Sequence, residues 1–231
     1  MQTLEINARY AHKVIERLVG GLLVLYMIGV AVQVVSRAAS NDSQMVFNDS
    51  LQIIAQNQAL YLTSMYTSVI SNALLVGLAA GLYSVFRIYQ PDLARVGAFL
   101  LLAAAVVSMV AAAAGLALAS LAQEFAGLTG HQASSLASSA QAVEVYRAYA
   151  GRTGFTLSAL SLLAFSGLIS WQGPIPKWLG WVGILVGVMM LLIWSDSAAL
   201  LHRIGGTGYL VWLAIAGGWL VFRGTRHVGT E

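Results

Sequence analysis

The chain has 231 residues, 58% of them hydrophobic and only 9% charged, with a mean hydropathy of +0.77. Soluble domains carry about 25% charged residues, so this composition excludes a water-soluble globule and makes lipid the expected solvent. The net charge of +3 points to basic loops rather than nucleic-acid binding, and the lack of cysteine excludes disulfides, thiolate metal sites and cysteine nucleophiles.

The first seventeen residues are polar and basic. The apolar run behind them has no small-residue cleavage site, so it reads as a retained helix and not as a cleaved leader. Six apolar segments follow, at about residues 18–36, 62–88, 96–122, 153–171, 178–194 and 204–222. The third is the most telling, because no charge occurs between Arg95 and Glu124. A helix rises 1.5 Å per residue and the hydrocarbon core is about 30 Å thick, so about 20 residues suffice to cross. Backbone polar groups in lipid must be satisfied within their own segment, so each run is expected to be a helix. The expected fold is all-α: one integral membrane domain over residues 1–231, a bundle of six transmembrane helices.

With six crossings both termini share a side. That side holds Arg9, Lys13, Arg17, Arg87, Arg95, Lys177, Arg223 and Arg226, against Arg37, Arg147, Arg152 and Arg203 on the other. The excess predicts cytoplasmic termini. The turns on the basic side carry Pro91, Pro174 and Pro176, which stop helices. Two long connections on the other side each turn from polar to amphipathic before a crossing. In the first, Val46, Phe47, Leu51, Ile54 and Leu60 are expected on one face; in the second, Val143, Tyr146 and Tyr149 oppose Gln141, Glu144 and Arg147. Crossings two and four are therefore expected to begin outside the hydrocarbon or to follow interfacial helices. Asn41-Asp-Ser43 and Asn48-Asp-Ser50 match the glycosylation pattern, which is common by chance. The stretch Pro91 to Gly97 resembles Pro176 to Gly183 with one gap, as a repeated two-helix unit would.

Chemistry is sparse. Glu124, His131, Glu144, Arg147, Arg152, Asp196, His202 and Arg203 gather on the outer side. A polar pocket or metal site would draw on His131, Glu144, Asp196 and His202; ordinary loop charge at headgroup level is the simpler account. No histidine falls mid-crossing, which argues against bis-histidine haem, and neither lysine lies within a helix as a retinal protein requires. The second crossing has a polar half around Tyr66, and Asn72 is its deepest strong polar group. These residues fit either a ligand cavity or helix–helix hydrogen bonding. Gly77–Gly81 and Gly183–Gly187 are GxxxG spacings that predict close packing. Trp171, Trp178, Trp181, Trp194 and Trp219 flank crossings as an interfacial belt does.

The last third runs Pro176-Lys-Trp-Leu-Gly-Trp-Val-Gly-Ile-Leu-Val-Gly187, then His202-Arg-Ile-Gly-Gly-Thr-Gly-Tyr-Leu-Val-Trp212, and closes Gly218-Trp-Leu-Val-Phe-Arg223. It resembles a family of bacterial six-helix membrane proteins known only as a domain of unknown function. The resemblance is carried by about the last 50 residues and otherwise by layout. It implies six helices and a bacterial cytoplasmic membrane, and it brings no catalytic residues.

Three functional classes follow. The first is an accessory or scaffolding subunit, partnered by other membrane proteins or by itself. The second is a binder or carrier of a lipid, quinone or other apolar molecule beside Asn72 and Tyr66. The third is a metal-dependent intramembrane enzyme using His131, Asp196 and His202. The first is preferred; no catalytic residue, metal or obligatory cofactor is expected, membrane lipid is a partner, and nucleic acid is not. The polar set carried forward is Asn72, Tyr66, His131, Glu144, Arg152, Asp196, His202 and Arg203. Asn72→Leu is expected to leave folding intact but weaken assembly or ligand retention, and His202→Ala to be silent in a scaffold; gel filtration and bound-ligand mass spectrometry check both.

Overall fold

A computed structural model describes the backbone of residues 2–40 and 50–223, without the side chains of residues 2–10, Ser50 and Asp196. Val46, Phe47 and the two glycosylation patterns lie wholly or partly outside the described residues, as do Arg226 and His227.

Among the described residues seven helices run in order: α1 (Gln2–Ala39), α2 (Ser50–Gln56), α3 (Gln58–Phe86), α4 (Pro91–Phe125), α5 (Gly130–Trp171), α6 (Lys177–Leu191) and α7 (Ala199–Arg223). Two short 3₁₀ turns, Leu192–Trp194 and Asp196–Ala198, join α6 to α7. All the helices but α2 lie in stretches long and apolar enough to cross a membrane, six in all, and no strand occurs among the described residues. The chain is an all-α, multi-pass membrane bundle. At 42 residues α5 is about 63 Å long, twice the hydrocarbon thickness, so it must protrude. That protrusion is the expected extension before the fourth crossing. The extension before the second is the separate helix α2, broken from α3 only at Asn57. The helical hydrogen bonds carry across this break, from Asn57 N–H to the Ile53 carbonyl and from Tyr61 N–H to the Asn57 carbonyl.

Helix ends follow local chemistry. Pro91 opens α4, where its missing N–H costs nothing, and Pro176 precedes α6 with φ −58°. Gly130 begins α5 at φ +65°, a left-handed conformation that other residues rarely adopt.

Two compact units form. The first draws on residues 2–27, 74–104 and 155–223, and the second on 28–40, 50–73 and 105–154.

In the first unit glycine sets helix separation. A Cβ at Gly180 would fall 2.5 Å from the Ser170 nitrogen, one at Gly183 would strike Ser166, and one at Gly187 would lie 2.8 Å from Leu163. These place α6 directly on α5. Gly205 stacks α7 on the Met190 backbone of α6. Gly20 of α1 and Gly217 of α7 meet reciprocally, each with its Cβ position under 3 Å from the other's carbonyl oxygen, at 2.6 and 2.9 Å. Of the two GxxxG spacings, Gly183–Gly187 packs at both positions. In the other, only Gly81 does, against Val19, while a Cβ at Gly77 would meet nothing. In the two matching sequence stretches Pro91 is the first residue of α4 and Pro176 directly precedes α6, and Gly97 of α4 and Gly183 of α6 face Phe165 and Ser166, neighbours on α5.

At the terminal end of this unit the turn between α5 and α6 is held by α7. Trp219 Nε1 donates to the Pro174 carbonyl at 3.0 Å, and the Arg223 guanidinium donates to the same oxygen. Tyr89, in the α3–α4 turn, feels both Arg223 and Glu16. Glu16 is buried, 3.4 Å from His12. Partial burial pushes the Tyr89 phenol above 10, the Glu16 carboxylate adds to the rise, and Arg223 opposes it.

In the second unit Leu51 and Ile54 of α2 join Tyr61, Met65, Leu118, Ala119, Ala122 and Ala140 in one core cluster. Leu60 was expected on that face but is exposed. Tyr61 takes its place, because seven residues beyond Ile54 is two helical turns and six is not.

Gly217→Val should lower the melting temperature in detergent, at a cost of roughly 1–3 kcal/mol, by forcing α1 from α7; an unchanged melt would remove this crossing from the fold's supports. A raised folded pKa contributes stability below pH 10 that is lost as pH rises through the folded value. Wild type should therefore lose more melting temperature above pH 10 than Tyr89→Phe does, and parallel curves would refute that coupling.

Candidate functional site

The expected polar residues divide between the units. In the second unit Asn72 is buried, and its amide donates to Ser68 of its own helix, to the carbonyl at 2.8 Å and the hydroxyl at 3.4 Å. The bond between helices is made by Ser64, whose Oγ reaches the Gln33 carbonyl of α1 at 3.4 Å. Ser71 supports the same seam, filling the space left open by Gly29 of α1. Tyr66 is 57% exposed, so it and the buried Asn72 do not share an enclosed wall. Six residues apart, they sit about 120° apart around the helix.

On the protruding part of α5 the expected amphipathicity holds in part, with Val143 packed against the core and Gln141 exposed, and is reversed in part. Tyr146 and Tyr149 face outward, while Arg147 is buried and Glu144 half-buried. The cause is a bidentate ion pair: Arg147 Nε and Nη2 donate to the two Glu144 oxygens, both at 2.6 Å. A paired guanidinium tolerates burial, and a tyrosine suits an interface with its ring in apolar surroundings and its hydroxyl in water. Arg152 is exposed, 5.9 Å from the Tyr149 ring centroid, and His131 is exposed in the first turn of α5.

In the first unit the His202 ring packs edge-on against Phe155, centroids 5.0 Å apart. The Asp196 side chain lies outside the described residues. No three His, Asp or Glu residues come together among those described.

Two concavities belong to the first unit. One is a small, partly open cleft of about 20 Å³ walled by Phe86, Ser158, Ser161, Phe165, Tyr209 and Trp212 among others. It has room for about one water and none for a larger ligand. The other is an open groove of about 470 Å³ along α6 and α7. Leu179, Val182 and Val186 line it from α6, and Ile204, Val211 and Ile215 from α7. Gly208 and Val186, both in its lining, pack closely: a Cβ at Gly208 would lie 3.1 Å from Val186.

The polar atoms near this groove are used elsewhere. Trp212 Nε1 donates to the Leu179 carbonyl at 2.9 Å, which leaves the indole an apolar wall. Thr207 turns its hydroxyl back to the Arg203 carbonyl at 3.1 Å. Among the described residues Arg203 is the sole charged one lining the groove, and it is exposed. Sequence reading singled out Arg203 but missed the rest, because its lining is a pairing of two apolar helix faces that lipid-facing residues resemble. The signal available was the glycine-rich start of α7, with Gly205, Gly206 and Gly208 in one turn.

A family model described as Domain of unknown function (DUF4386) matches residues 18–224. No curated protein and no solved structure matches the chain. The match takes in the groove, the glycine contacts and all six crossings, well beyond the C-terminal stretch that carried the resemblance, and the chain belongs to the DUF4386 family.

Proposed function

We propose that this protein binds an amphiphile, a lipid or quinone, within the membrane and seats its apolar tail in the groove between α6 and α7. The observation that carries this reading is the groove itself: about 470 Å³, apolar-walled and open at the side. That size falls within the range of small-molecule sites, about 300–1,000 Å³. Burial of a tail is favourable by about 0.8 kcal/mol per CH₂ relative to water, and a fitted wall adds contact that fluid lipid lacks. The setting is a bacterial cytoplasmic membrane with both termini cytoplasmic, a placement supported by eight basic residues against four.

A second reading, an accessory subunit that docks on another membrane helix, is supported by the outward face of α3 in the first unit. Gly77 and Ala80 are exposed there, and a Cβ at Gly77 would touch nothing. Small exposed residues permit a partner's backbone to come close. No arrangement among the described residues favours the metal-enzyme reading.

Val182 sits on the groove's rim, 39% exposed. Val182→Trp should fill the groove without disturbing the contacts of α6 with α5. Lipid extracts of purified wild type should contain an amphiphile at about one per chain that survives detergent exchange, and the variant should lose it at an unchanged melting temperature. Equal retention by both proteins would refute the reading. Loss of a co-purifying protein from Gly77→Leu, with amphiphile retained, would instead favour the docking role.

A further inference from the structure

The groove has a polarity along its length. Arg203 stands at one end, one turn into α7 and near the 3₁₀ turn that carries Trp194. Trp194 is 49% exposed, and its indole donates to Thr156 at 2.8 Å, an amphipathic arrangement typical of a membrane interface. From Arg203 to Ile215 the α7 wall covers thirteen residues, a rise of about 18 Å. One leaflet of hydrocarbon is about 15 Å deep. The groove is therefore an apolar channel one leaflet long, with a guanidinium at its interfacial mouth and, among the described residues, no other charged side chain lining it.

We infer that the occupant is an anionic phospholipid, with one acyl chain lying along α6 and α7 and its headgroup phosphate paired with Arg203. This rests on the groove reading above and adds the class of ligand. Three features favour a phospholipid over a quinone. The mouth offers a cation, which a neutral quinone ring cannot use, whereas guanidinium and phosphate form paired hydrogen bonds. The Thr207 hydroxyl and the Trp212 N–H, the donors a quinone carbonyl would need, are both turned to backbone carbonyls. The wall ends at leaflet depth, which matches an acyl chain anchored at the interface.

The test uses the full chain in nanodiscs of equimolar phosphatidylglycerol and phosphatidylcholine with identical acyl chains, followed by delipidation and native mass spectrometry. Wild type should retain one phospholipid, with phosphatidylglycerol enriched about five-fold, the factor expected of one basic residue at a membrane surface. Arg203→Gln should retain phospholipid with enrichment near one, and Arg203→Lys should recover most of the preference. Wild type that retains both lipids equally would overturn the anionic assignment while leaving the groove occupied. An Arg203→Gln protein with wild-type preference would overturn the role of Arg203. If Val182→Trp retains as much phospholipid as wild type, the groove reading itself fails, and the inference with it.

Discussion

Close backbone approach at glycine is the constraint on which the first unit depends. In lipid there is little hydrophobic drive between helices, so association relies on dispersion contacts and short polar bridges, and both grow steeply as backbones near each other. Gly180, Gly183 and Gly187 bring α6 onto α5, Gly205 brings α7 onto α6, and Gly20 with Gly217 brings α1 onto α7. The buried polar side chains then act over distances that these contacts set. Ser161 reaches the Gly97 carbonyl at 2.8 Å, and Trp212 reaches that of Leu179 at 2.9 Å.

The groove borders one of these close contacts. Gly208 of α7 packs on Val186 of α6, where an added Cβ would lie 3.1 Å away, and both residues line the channel. Its walls are apolar because the donors that border it, Trp212 and Thr207, are satisfied by main-chain carbonyls. A polar group in a low-dielectric setting is costly when left unpaired, so these bonds remove a penalty and at the same time leave a hydrocarbon surface. Arg203 is the exception at the mouth, where water and headgroups can solvate it.

The second unit handles polarity differently. Its protruding helix buries the Glu144–Arg147 pair and turns Tyr146 and Tyr149 outward. A face-by-face reading of that helix sets Glu144 and Arg147 opposite Tyr146 and Tyr149 and leaves open which face is covered. The outcome depends on both donors of one guanidinium finding both oxygens of one carboxylate three residues earlier. Residue spacing permits this geometry without requiring it.

Sequence alone determined the six membrane crossings, the proline-marked turns, the extended segments before the second and fourth crossings and the family. These follow from hydrophobic run length and backbone hydrogen bonding, which are properties of one segment at a time. It also marked Asn72, Tyr66, Glu144, Arg152 and Arg203 as polar groups of interest. Only the tertiary structure decided that Asn72 bonds within its own helix, that Gly183 packs while Gly77 does not, and that Arg203 heads an apolar groove. Each of those outcomes depends on which face of a helix meets which neighbour. In a chain with 23 glycines and faces that are apolar all round, periodicity leaves that rotation open, and contact between helices settles it.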